Sequence, residues 1–388
     1  MQRQGLGEGG ALVLNYYQPW TYAGSERFVQ LAREELRQAR SQAFVYVADA
    51  GLRSVIDRNV RLPEYAKLAL YEFAPPMGAI PISPHAVRLS GPSRIDLTRL
   101  VEVLAPDYVR SHFPAADFVE ALDTPEFRRF PFVYDIMDLW DEFAATPWGD
   151  HATEKYYVER ADVLLAVSQL LVDRFSKGAK SHLVPNAIDR RFLREIAVCD
   201  PYDLRAPKEV LYMGSMGGSW FDWDLLRLTI EALPDHRFTL LGSARLPPEE
   251  LNVSRERQAH EHMERLGAMP NVRVVPEVPH DELVPWLRRA DVGLIPFLPN
   301  ELVAAVSPLK VYEYLGAGAV VVQIGMPDIA SFPGVRTAHS AADFVEYVRV
   351  SDRRVLSARE RLAVDRFAVE NTWEERLAAI DRIVSTMK

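Results

Sequence analysis

Short apolar runs alternate with amphipathic segments along almost the whole chain. The runs are uniformly apolar, which predicts strands buried on both faces of parallel sheets. We predict strands at residues 11–15, 43–47, 132–136, 163–167 and 182–184, and then at 209–213, 238–241, 272–275, 292–295 and 319–323. Helical patterns lie between them at residues 26–40, 153–160, 223–233, 281–289 and 309–315. This alternation is typical of an α/β fold with helices on both faces of each sheet.

The strand–helix series ends and restarts near residues 187–207, where a polar, proline-containing stretch leads into the next strand. Because 388 residues exceed one typical core, we predict two doubly wound, Rossmann-like domains facing each other across a cleft. The first covers residues 1–190 and the second residues 205–367. Residues 51–105 are rich in proline and are assigned to loops or to an elaboration of the first domain.

Composition narrows the classes of protein to consider. The net charge of −9 argues against a general nucleic-acid-binding protein, because such a protein needs a basic face. Cys199 is the one cysteine, so an intramolecular disulfide and a cysteine-based metal site are both excluded. The sequence shows no leader pattern and no apolar stretch approaching the ~20 residues of a membrane span. We expect a cytoplasmic protein that binds no nucleic acid; peripheral contact with the inner face of the membrane stays open.

The most informative segment is a helix start followed by an apolar run. Ser307 suits the helix cap and Pro308 the first helical position. The free N–H groups of the first turn, around Leu309, favour a phosphate, and Lys310 adds a positive charge. Glu313 lies on the same helical face, where its carboxylate can accept hydrogen bonds from sugar hydroxyls. The segment therefore predicts a pyrophosphate and a ribose bound side by side, as in a nucleotide-linked substrate.

A simpler interpretation of this segment stays open from these residues alone. Ser-Pro helix starts are common, and Lys310 with Glu313 could form a solvated ion pair worth about 0.3 kcal/mol.

Further motifs lie along both halves of the chain. In the first half they are a glycine loop before Glu26-Arg27, residues 133–140, an Ala-Asp…Ser landmark at 161–168 and a Pro-Asn-x-x-Asp landmark at 185–189. In the second half they are residues 211–215 with 220–222, 290–296, 307–318 and 370–373. In this order the motifs resemble bacterial glycosyltransferases of the two-Rossmann-domain (GT-B) type, in the group 1, family 4-like class. The resemblance spans most of the chain and implies that the closing helix, residues 368–388, packs back on the first domain.

The resemblance also implies an activity and a set of residue roles. A sugar would pass from a nucleotide-diphosphate sugar, with UDP the expected nucleotide, to a saccharide, lipid-linked or natural-product acceptor, without a metal or another cofactor. The expected donor-binding residues, including those of the helix start, are Gly214, Ser215, Gly217, Val275, Glu277, Ser307, Pro308, Leu309, Lys310 and Glu313. The expected acceptor-binding residues are Tyr22, Gly24, Ser25 and Glu26.

Two departures from the family pattern bear on the donor site. Ala305 stands where the first of a pair of glutamates is usual, and Glu313 fits the second. The loop at residues 215–219 lacks the positive charges that many relatives carry, although its backbone N–H groups could form an anion nest. Lys310 is therefore expected to supply most of the positive charge at the phosphates. Because the pair of glutamates is incomplete, the resemblance does not predict whether transfer retains or inverts the anomeric centre of the sugar.

Two residues near strand ends of the first domain are candidates for the reacting side. Asp138 follows a strand and is a candidate base, although its acidic surroundings also suit the cap of the next helix. His112 falls where relatives place a histidine that contacts the donor, but a lone histidine is more often a satisfied polar residue. Both roles stay open at this point.

Two other functions remain to be compared with transfer. One is a nucleotide-sugar 2-epimerase of the same architecture, which the acceptor-type loop at Glu26 disfavours. The other is a degenerate nucleotide-binding or scaffold protein, for which Ala305 and the uncharged loop are the support.

Overall fold

The computed structural model describes residues 10–15, 26–38, 42–47, 68–74, 78–81, 95–143, 149–176, 180–197, 206–244 and 253–387. The chain divides into two compact units, Met1–Val184 with Leu377–Lys388 and Pro185–Arg376, called here the first and the second unit. The functional boundaries predicted at residues 190 and 205 stay predictions. In the described part of the chain, every helix lacks the length or the apolar character needed to cross a membrane.

The first unit contains one sheet of nine described strands. Their bounds are β1 Ala11–Asn15, β2 Gln42–Val47, β3 Leu68–Ala74, β4 Gly78–Pro81, β5 Ile95–Asp96, β6 Tyr108–Ser111, β7 Phe132–Ile136, β8 Val163–Ala166 and β9 Ser181–Leu183. They lie in the order β5-β4-β3-β2-β1-β6-β7-β8-β9. The α-helices are α1 Arg27–Arg37, α2 Leu97–Leu104, α3 Val119–Leu122, α4 His151–Arg160 and α5 Gln169–Arg174.

The edge strands of this sheet differ from the predicted parallel arrangement. β4 pairs antiparallel with both β3 and β5. All other neighbouring strands, from β3 to β9 in the order given above, pair in parallel. Only residues 75–77 separate β3 from β4. Three residues suffice for a hairpin but not for the crossover of a dozen or more residues that a parallel pair needs.

The second unit contains a sheet of six described strands, all parallel. Their bounds are β10 Glu209–Met213, β11 Arg237–Leu241, β12 Val272–Val275, β13 Val292–Ile295, β14 Val320–Ile324 and β15 Val335–Ala338, in the order β12-β11-β10-β13-β14-β15. The helices are α6 Arg190–Ile196, α7 Trp223–Ala232, α8 Val253–Gly267, α9 Val284–Arg289, α10 Glu301–Ala305, α11 Leu309–Gly316, α12 Ala341–Val350, α13 Ala358–Glu370 and α14 Trp373–Ser385. The division between the two units falls within α14.

Local sequence explains where many of these elements begin. Asp150 accepts a hydrogen bond from the Thr153 N–H at the start of α4, and Asp222 accepts one from the Leu225 N–H at the start of α7. Ser357 starts α13 with a capping box. Each cap satisfies a backbone donor that the helix itself leaves unpaired.

The sequence patterns placed most of the strands but missed several elements. The unassigned stretch 51–105 contains β3, β4, β5 and α2. The strands β6 and β15 and the helices α3, α5, α6, α8, α10, α12 and α13 were not predicted either. β6 and β15 contain a polar or charged residue within a four-residue run, so neither forms a continuous apolar segment. The helix predicted at 26–40 ends at Arg37.

Candidate functional site

Each sheet has one position where the strand order reverses direction. In the second unit this position lies between β10 and β13, and in the first unit between β1 and β6. In open α/β sheets, ligands bind outside the carboxyl ends of the strands at this position.

In the second unit, two glycines hold neighbouring strand ends together. The Gly214 N–H donates to the Leu241 carbonyl at 2.9 Å, and the Gly242 N–H donates to the Val275 carbonyl at 3.0 Å. Gly214 and Gly242 have φ angles of 122° and 151°. A Cβ atom on Gly242 would lie 2.0 Å from the Gly214 carbonyl oxygen, a backbone atom that cannot turn away. The ends of β10, β11 and β12 thus meet more closely than side chains would permit.

Substitution of Gly242 by alanine is expected to destabilise the second unit by about 3 kcal/mol, because it combines a positive φ with a backbone overlap. The unfolding midpoint in urea measures this loss. Gly318 is the matched control: its φ is 75°, but a Cβ atom there meets nothing within 4 Å. The alanine variant at Gly318 should therefore lose only the smaller cost of the backbone conformation, and equal losses in both variants would refute the overlap.

Helix α11 is fixed to the same edge of the sheet by its aromatic residues. The Tyr314 hydroxyl accepts a hydrogen bond from the Met213 N–H at 3.0 Å. Its ring lies against Gly293, where a Cβ atom would come within 2.4 Å of the ring. Because Gly293 has no side chain, α11 packs directly on β13, which places the start of α11 beside the strand ends.

Lys310, in the first turn of α11, extends across this edge. Its Nζ donates to the Tyr212 hydroxyl at 3.2 Å and lies 4.5 Å from the Tyr212 ring centroid and 5.1 Å from that of Phe297. A Cβ atom on Gly214 would lie 2.9 Å from Nζ. Burial lowers the pKa of Lys310 from 10.5 to about 8, although the nearby Glu313 carboxylate acts in the opposite direction. The ammonium group is therefore poorly compensated and would gain from an anion.

The start of α11 differs from the prediction. Pro308 is the N-cap rather than the first helical residue, and no side chain caps this end. The Ser307 hydroxyl instead accepts from the Asn186 N–H at 3.3 Å and contacts the Tyr312 hydroxyl at 3.2 Å. It is thus engaged by a chain segment distant in sequence, which the local pattern could not reveal.

Two backbone donors remain at this helix start. Among the described residues, no acceptor lies within hydrogen-bond distance of the N–H groups of Leu309 and Lys310. These groups and the positive end of the helix dipole are available to an anion beside Lys310.

The loop after β10 supplies a hydroxyl as well as backbone. The Ser215 carbonyl accepts from the Tyr212 hydroxyl at 2.5 Å, and the Met216 N–H donates to the Ser243 carbonyl at 2.9 Å. The Ser215 Oγ atom is buried and has no hydrogen-bond partner in the described part of the chain. The adjoining Gly217 is also buried.

Glu313 is engaged by a residue that the sequence did not indicate. Its Oε1 atom lies 2.6 Å from Nε2 of His280, and the His280 ring packs against Phe192 with 4.2 Å between centroids. The two partners lie 33 positions apart in the sequence, which explains why no motif revealed the pair. Of the other predicted donor residues, Val275 is buried at the end of β12 and Glu277 is exposed.

In the first unit, the structure places His112 in a buried polar cluster. Its Nδ1 atom lies 3.2 Å from Oδ2 of Asp135, and all three side chains of His112, Asp135 and Arg27 are at most 3% exposed. Arg27 Nε donates to both Asp135 oxygens at 3.0 Å. Asp135 and Arg27 lie within two of the motifs named above, but neither residue is distinguished by its spacing in the sequence.

The charge states in this cluster follow from its geometry. Burial alone would raise the pKa of Asp135, but Arg27 and His112 together hold it well below its usual range. Burial lowers the pKa of His112, and Asp135 opposes this only in part. At neutral pH the cluster therefore contains a carboxylate, a guanidinium and a neutral imidazole.

The remaining predicted residues lie near this cluster in sequence or outside the described residues. Asp138 is partly exposed, and its Oδ1 accepts from the Leu139 N–H at 2.9 Å, so it stabilises the turn after β7. The Glu26 carbonyl accepts from the N–H groups of two residues in α1. Tyr22, Gly24 and Ser25 lie outside the described residues, and their acceptor role stays a prediction. Among the described residues, no group of three His, Cys, Asp or Glu side chains is placed to hold a metal ion.

Comparison with known proteins gives matches of three kinds. Residues 224–382 match the family model described as glycosyl transferase-like. TuaH of Bacillus subtilis strain 168, a putative teichuronic acid biosynthesis glycosyltransferase, is 23% identical over 215 residues, and the match covers 50% of each protein. The chain thus spans about half the length of this curated relative.

Solved structures match nearly the whole chain. Anabaena HepE in complex with UDP and glucose has a TM-score of 0.63 at 13% identity, with 96% of this chain and 99% of that chain covered. Sucrose-phosphate synthase from Thermosynechococcus elongatus has a TM-score of 0.62 at 14% identity, with coverages of 97% and 99%. These likenesses confirm the predicted GT-B fold class, and the matches together confirm the resemblance to glycosyltransferases.

Proposed function

We propose that this protein is a glycosyltransferase that uses a nucleotide-diphosphate sugar as donor and binds the diphosphate at the start of α11. The observation that carries the proposal is the ammonium group of Lys310, partly buried against Gly214 at the position where the strand order reverses. The family match over residues 224–382 includes this segment. The epimerase and scaffold alternatives have no comparable support.

Stabilisation of the leaving nucleoside diphosphate is the main chemical contribution of this site. As the bond to the sugar breaks, negative charge develops on the phosphate oxygens. Lys310 and the N–H groups of Leu309 and Lys310 are held rigidly at one point by the packing of α11, so they need little reorganisation to meet that charge. The buried Ser215 hydroxyl is a further donor.

Glu313 is proposed to bind the ribose hydroxyls. The 2.6 Å contact with His280 holds one carboxylate oxygen in place and leaves the second oxygen to accept from a hydroxyl.

The finer features of the activity are proposals as well. We propose UDP as the nucleotide, a hexose as the transferred sugar, and a saccharide, lipid-linked or natural-product acceptor, with no metal requirement and no other cofactor. Support comes from the UDP and glucose bound to HepE and from the role of TuaH in teichuronic acid biosynthesis. A cytoplasmic location and peripheral membrane contact rest on the sequence alone.

The test is a calorimetric titration of the purified protein with UDP, GDP, ADP and dTDP, first without metal and then with Mg²⁺. Selective binding of one diphosphate without metal supports the proposal, and incubation with the matching sugar nucleotides then identifies the donor. Absence of binding to all four nucleotides in both conditions would contradict it.

UDP affinity is expected to fall as the pH rises above 8. The protonated amine binds the diphosphate, and the pKa of Lys310 in the free protein is about 8. Above this pH, affinity should fall by about tenfold per pH unit, with uptake of about one proton on binding. Titrations between pH 7 and pH 9, in buffers of different ionisation enthalpy, measure both quantities.

The free energy of unfolding of the ligand-free protein should change with pH in the opposite direction to the UDP affinity. Between the lowered pKa of about 8 and the unfolded value of 10.5, the unfolded chain binds more protons than the folded one, so stability rises with pH across this window. The Lys310→Ala variant is the control, since both dependences should be absent from it. An unchanged pH dependence in that variant would assign the proton to another group.

A further inference from the structure

We propose that the second unit has a further anion site, at the amino ends of β10, β11 and β12. A small molecule with a phosphate group binds there, between the strand ends and the last turn of α9, and Arg273 and Arg289 hold the phosphate. The site lies apart from the predicted donor site and is independent of the proposed transferase function.

A cavity of about 310 Å³ lies at this edge of the sheet. The first residues of the three strands form its floor, and the end of α9 forms its wall. Its lining consists of residues 209–211, 237–239, 270–273, 286, 289 and 290. The volume is at the lower end of the range of about 300–1,000 Å³ that is typical of sites for small molecules.

The polar side chains of this cavity share one face of the sheet. In the strand register, Glu209 is paired with Arg237, and Thr239 is paired with Arg273. Alternate residues of a strand point to the same face, so Arg237 and Thr239 lie on the face that also carries the other two. Strands of a parallel sheet are usually apolar on both faces because helices cover them. The polar face departs from this pattern and leaves the cavity suited to a polar ligand.

The cavity carries an excess of positive charge. Its charged lining residues are three arginines and one glutamate, and the glutamate, Glu209, pairs with Arg237 at 3.2 Å. Among the residues that the structure describes, Arg273 and Arg289 have no carboxylate partner. These two guanidinium groups stand out in a chain with a net charge of −9. A phosphate monoester carries about −1.5 to −2 at neutral pH and therefore matches their combined charge.

Trp286 holds the guanidinium of Arg273 in place. The guanidinium carbon lies 4.7 Å from the centroid of the indole ring, and the ring itself packs against the core of the second unit. A stacked guanidinium keeps the N–H donors in its plane available for a phosphate. Arg289 follows Trp286 by three residues on α9, so both side chains lie on the same face of that helix. The cavity thus combines two cationic groups with an aromatic surface.

The carbonyl groups at the end of α9 are already engaged. Carbonyls at the end of a helix carry partial negative charge and would repel an anion. Here the Ala290 N–H donates to the carbonyls of Trp286 and Leu287 at 3.1 and 3.2 Å. Nη2 of Arg353 donates to the Arg288 carbonyl. These donors offset the negative end of the helix beside the cavity.

The cavity and the predicted donor site lie at opposite ends of the same strands. β10 has five residues, so the two edges are about 13 Å apart at a rise of about 3.3 Å per residue. A small phosphate at the amino edge therefore leaves the carboxyl ends free, and two anions can bind at once.

The test is a calorimetric titration of the full-length protein with phenyl phosphate, whose ring represents the apolar part of the ligand. The Lys310→Ala background is used because the predicted donor site also favours phosphate. Phenyl phosphate should bind this variant with a Kd of about 1 mM or lower. Adding Arg273→Ala and Arg289→Ala should weaken binding by about 100-fold, since one charge-assisted contact contributes about tenfold or more.

Arg257→Ala with Arg265→Ala, in the same background, is the matched control. Both side chains are 75% exposed on α8, so this pair removes the same charge at another place in the second unit. Phenyl phosphate should bind the control as tightly as it binds Lys310→Ala. Benzoate has the same ring but one negative charge and should bind at least about tenfold more weakly.

Three outcomes would overturn the inference: absence of phenyl phosphate binding to Lys310→Ala, equal binding after loss of Arg273 and Arg289, and equal binding of benzoate. The titration of the wild-type protein with nucleoside diphosphates tests the proposed function separately. Failure of that titration leaves the result at this cavity unchanged.

Discussion

Lys310→Ala is expected to weaken binding of the nucleoside diphosphate by about 10- to 100-fold, because one charge-assisted contact is worth about 1.5–3 kcal/mol. The same substitution should leave thermal stability unchanged or slightly higher. In the ligand-free protein the ammonium is buried against Gly214 and two aromatic rings, and its pKa is lowered to about 8, so it is a cost to folding. Calorimetry and thermal unfolding of the same samples measure both quantities.

Arg257→Ala is the matched control for this variant. Arg257 also lies in the second unit, on α8, but its side chain is 75% exposed, so the variant loses the same charge without touching the strand ends. UDP should bind it as tightly as it binds the wild-type protein. If both variants bind UDP equally, Lys310 does not contact the diphosphate; if Lys310→Ala also loses stability, the lysine has a structural role instead.

Glu35→Ala is expected to reduce the free energy of unfolding by about 3–5 kcal/mol. Glu35 accepts two parallel hydrogen bonds from Arg110 at 2.9 Å and one from the Tyr108 hydroxyl at 3.1 Å. Arg110 is 0% exposed and Glu35 is 1% exposed, so water cannot replace the carboxylate. The substitution leaves a buried guanidinium without its ion-pair partner. Urea unfolding followed by circular dichroism measures the loss.

Two further variants distinguish this cause from the loss of a glutamate in general. Glu102 pairs with Arg129 at 3.1 Å in the same unit, but the side chains are 46% and 63% exposed. Glu102→Ala should therefore cost less than about 1 kcal/mol. The double variant Glu35→Leu/Arg110→Met should recover most of the stability, because it removes both charges together. Equal losses for Glu35→Ala and Glu102→Ala would contradict the explanation.

Among the predicted donor residues, the sequence revealed those that depend on neighbouring positions and missed contacts between distant positions. Lys310 and the start of α11 were identified because helix starts and positive charges occupy neighbouring sequence positions. The pairing of Glu313 with His280 was missed, since it joins residues 33 positions apart. Ser307 was assigned to the wrong partner for the same reason: a nearby cap was the simplest prediction, and Asn186 is 121 residues away.

The first unit shows the same limit. His112 was selected by resemblance, but the two charged residues buried beside it, Asp135 and Arg27, were not. Asp135 lies within a strand that the sequence places correctly, as one polar residue among buried apolar ones. Nothing in that run indicates that a guanidinium 108 residues earlier meets it.

The sequence by itself determined the alternation of strands and helices, the two-domain α/β class and the helix start that favours an anion. These features depend on hydrophobic period and backbone chemistry within a few neighbouring residues. Only the tertiary structure decided which polar groups share a buried environment: Lys310 with Gly214, Glu313 with His280, and Asp135 with Arg27 and His112. The energies of such groups depend on desolvation and on distances of a few ångströms, and packing brings those distances about between residues far apart in the chain.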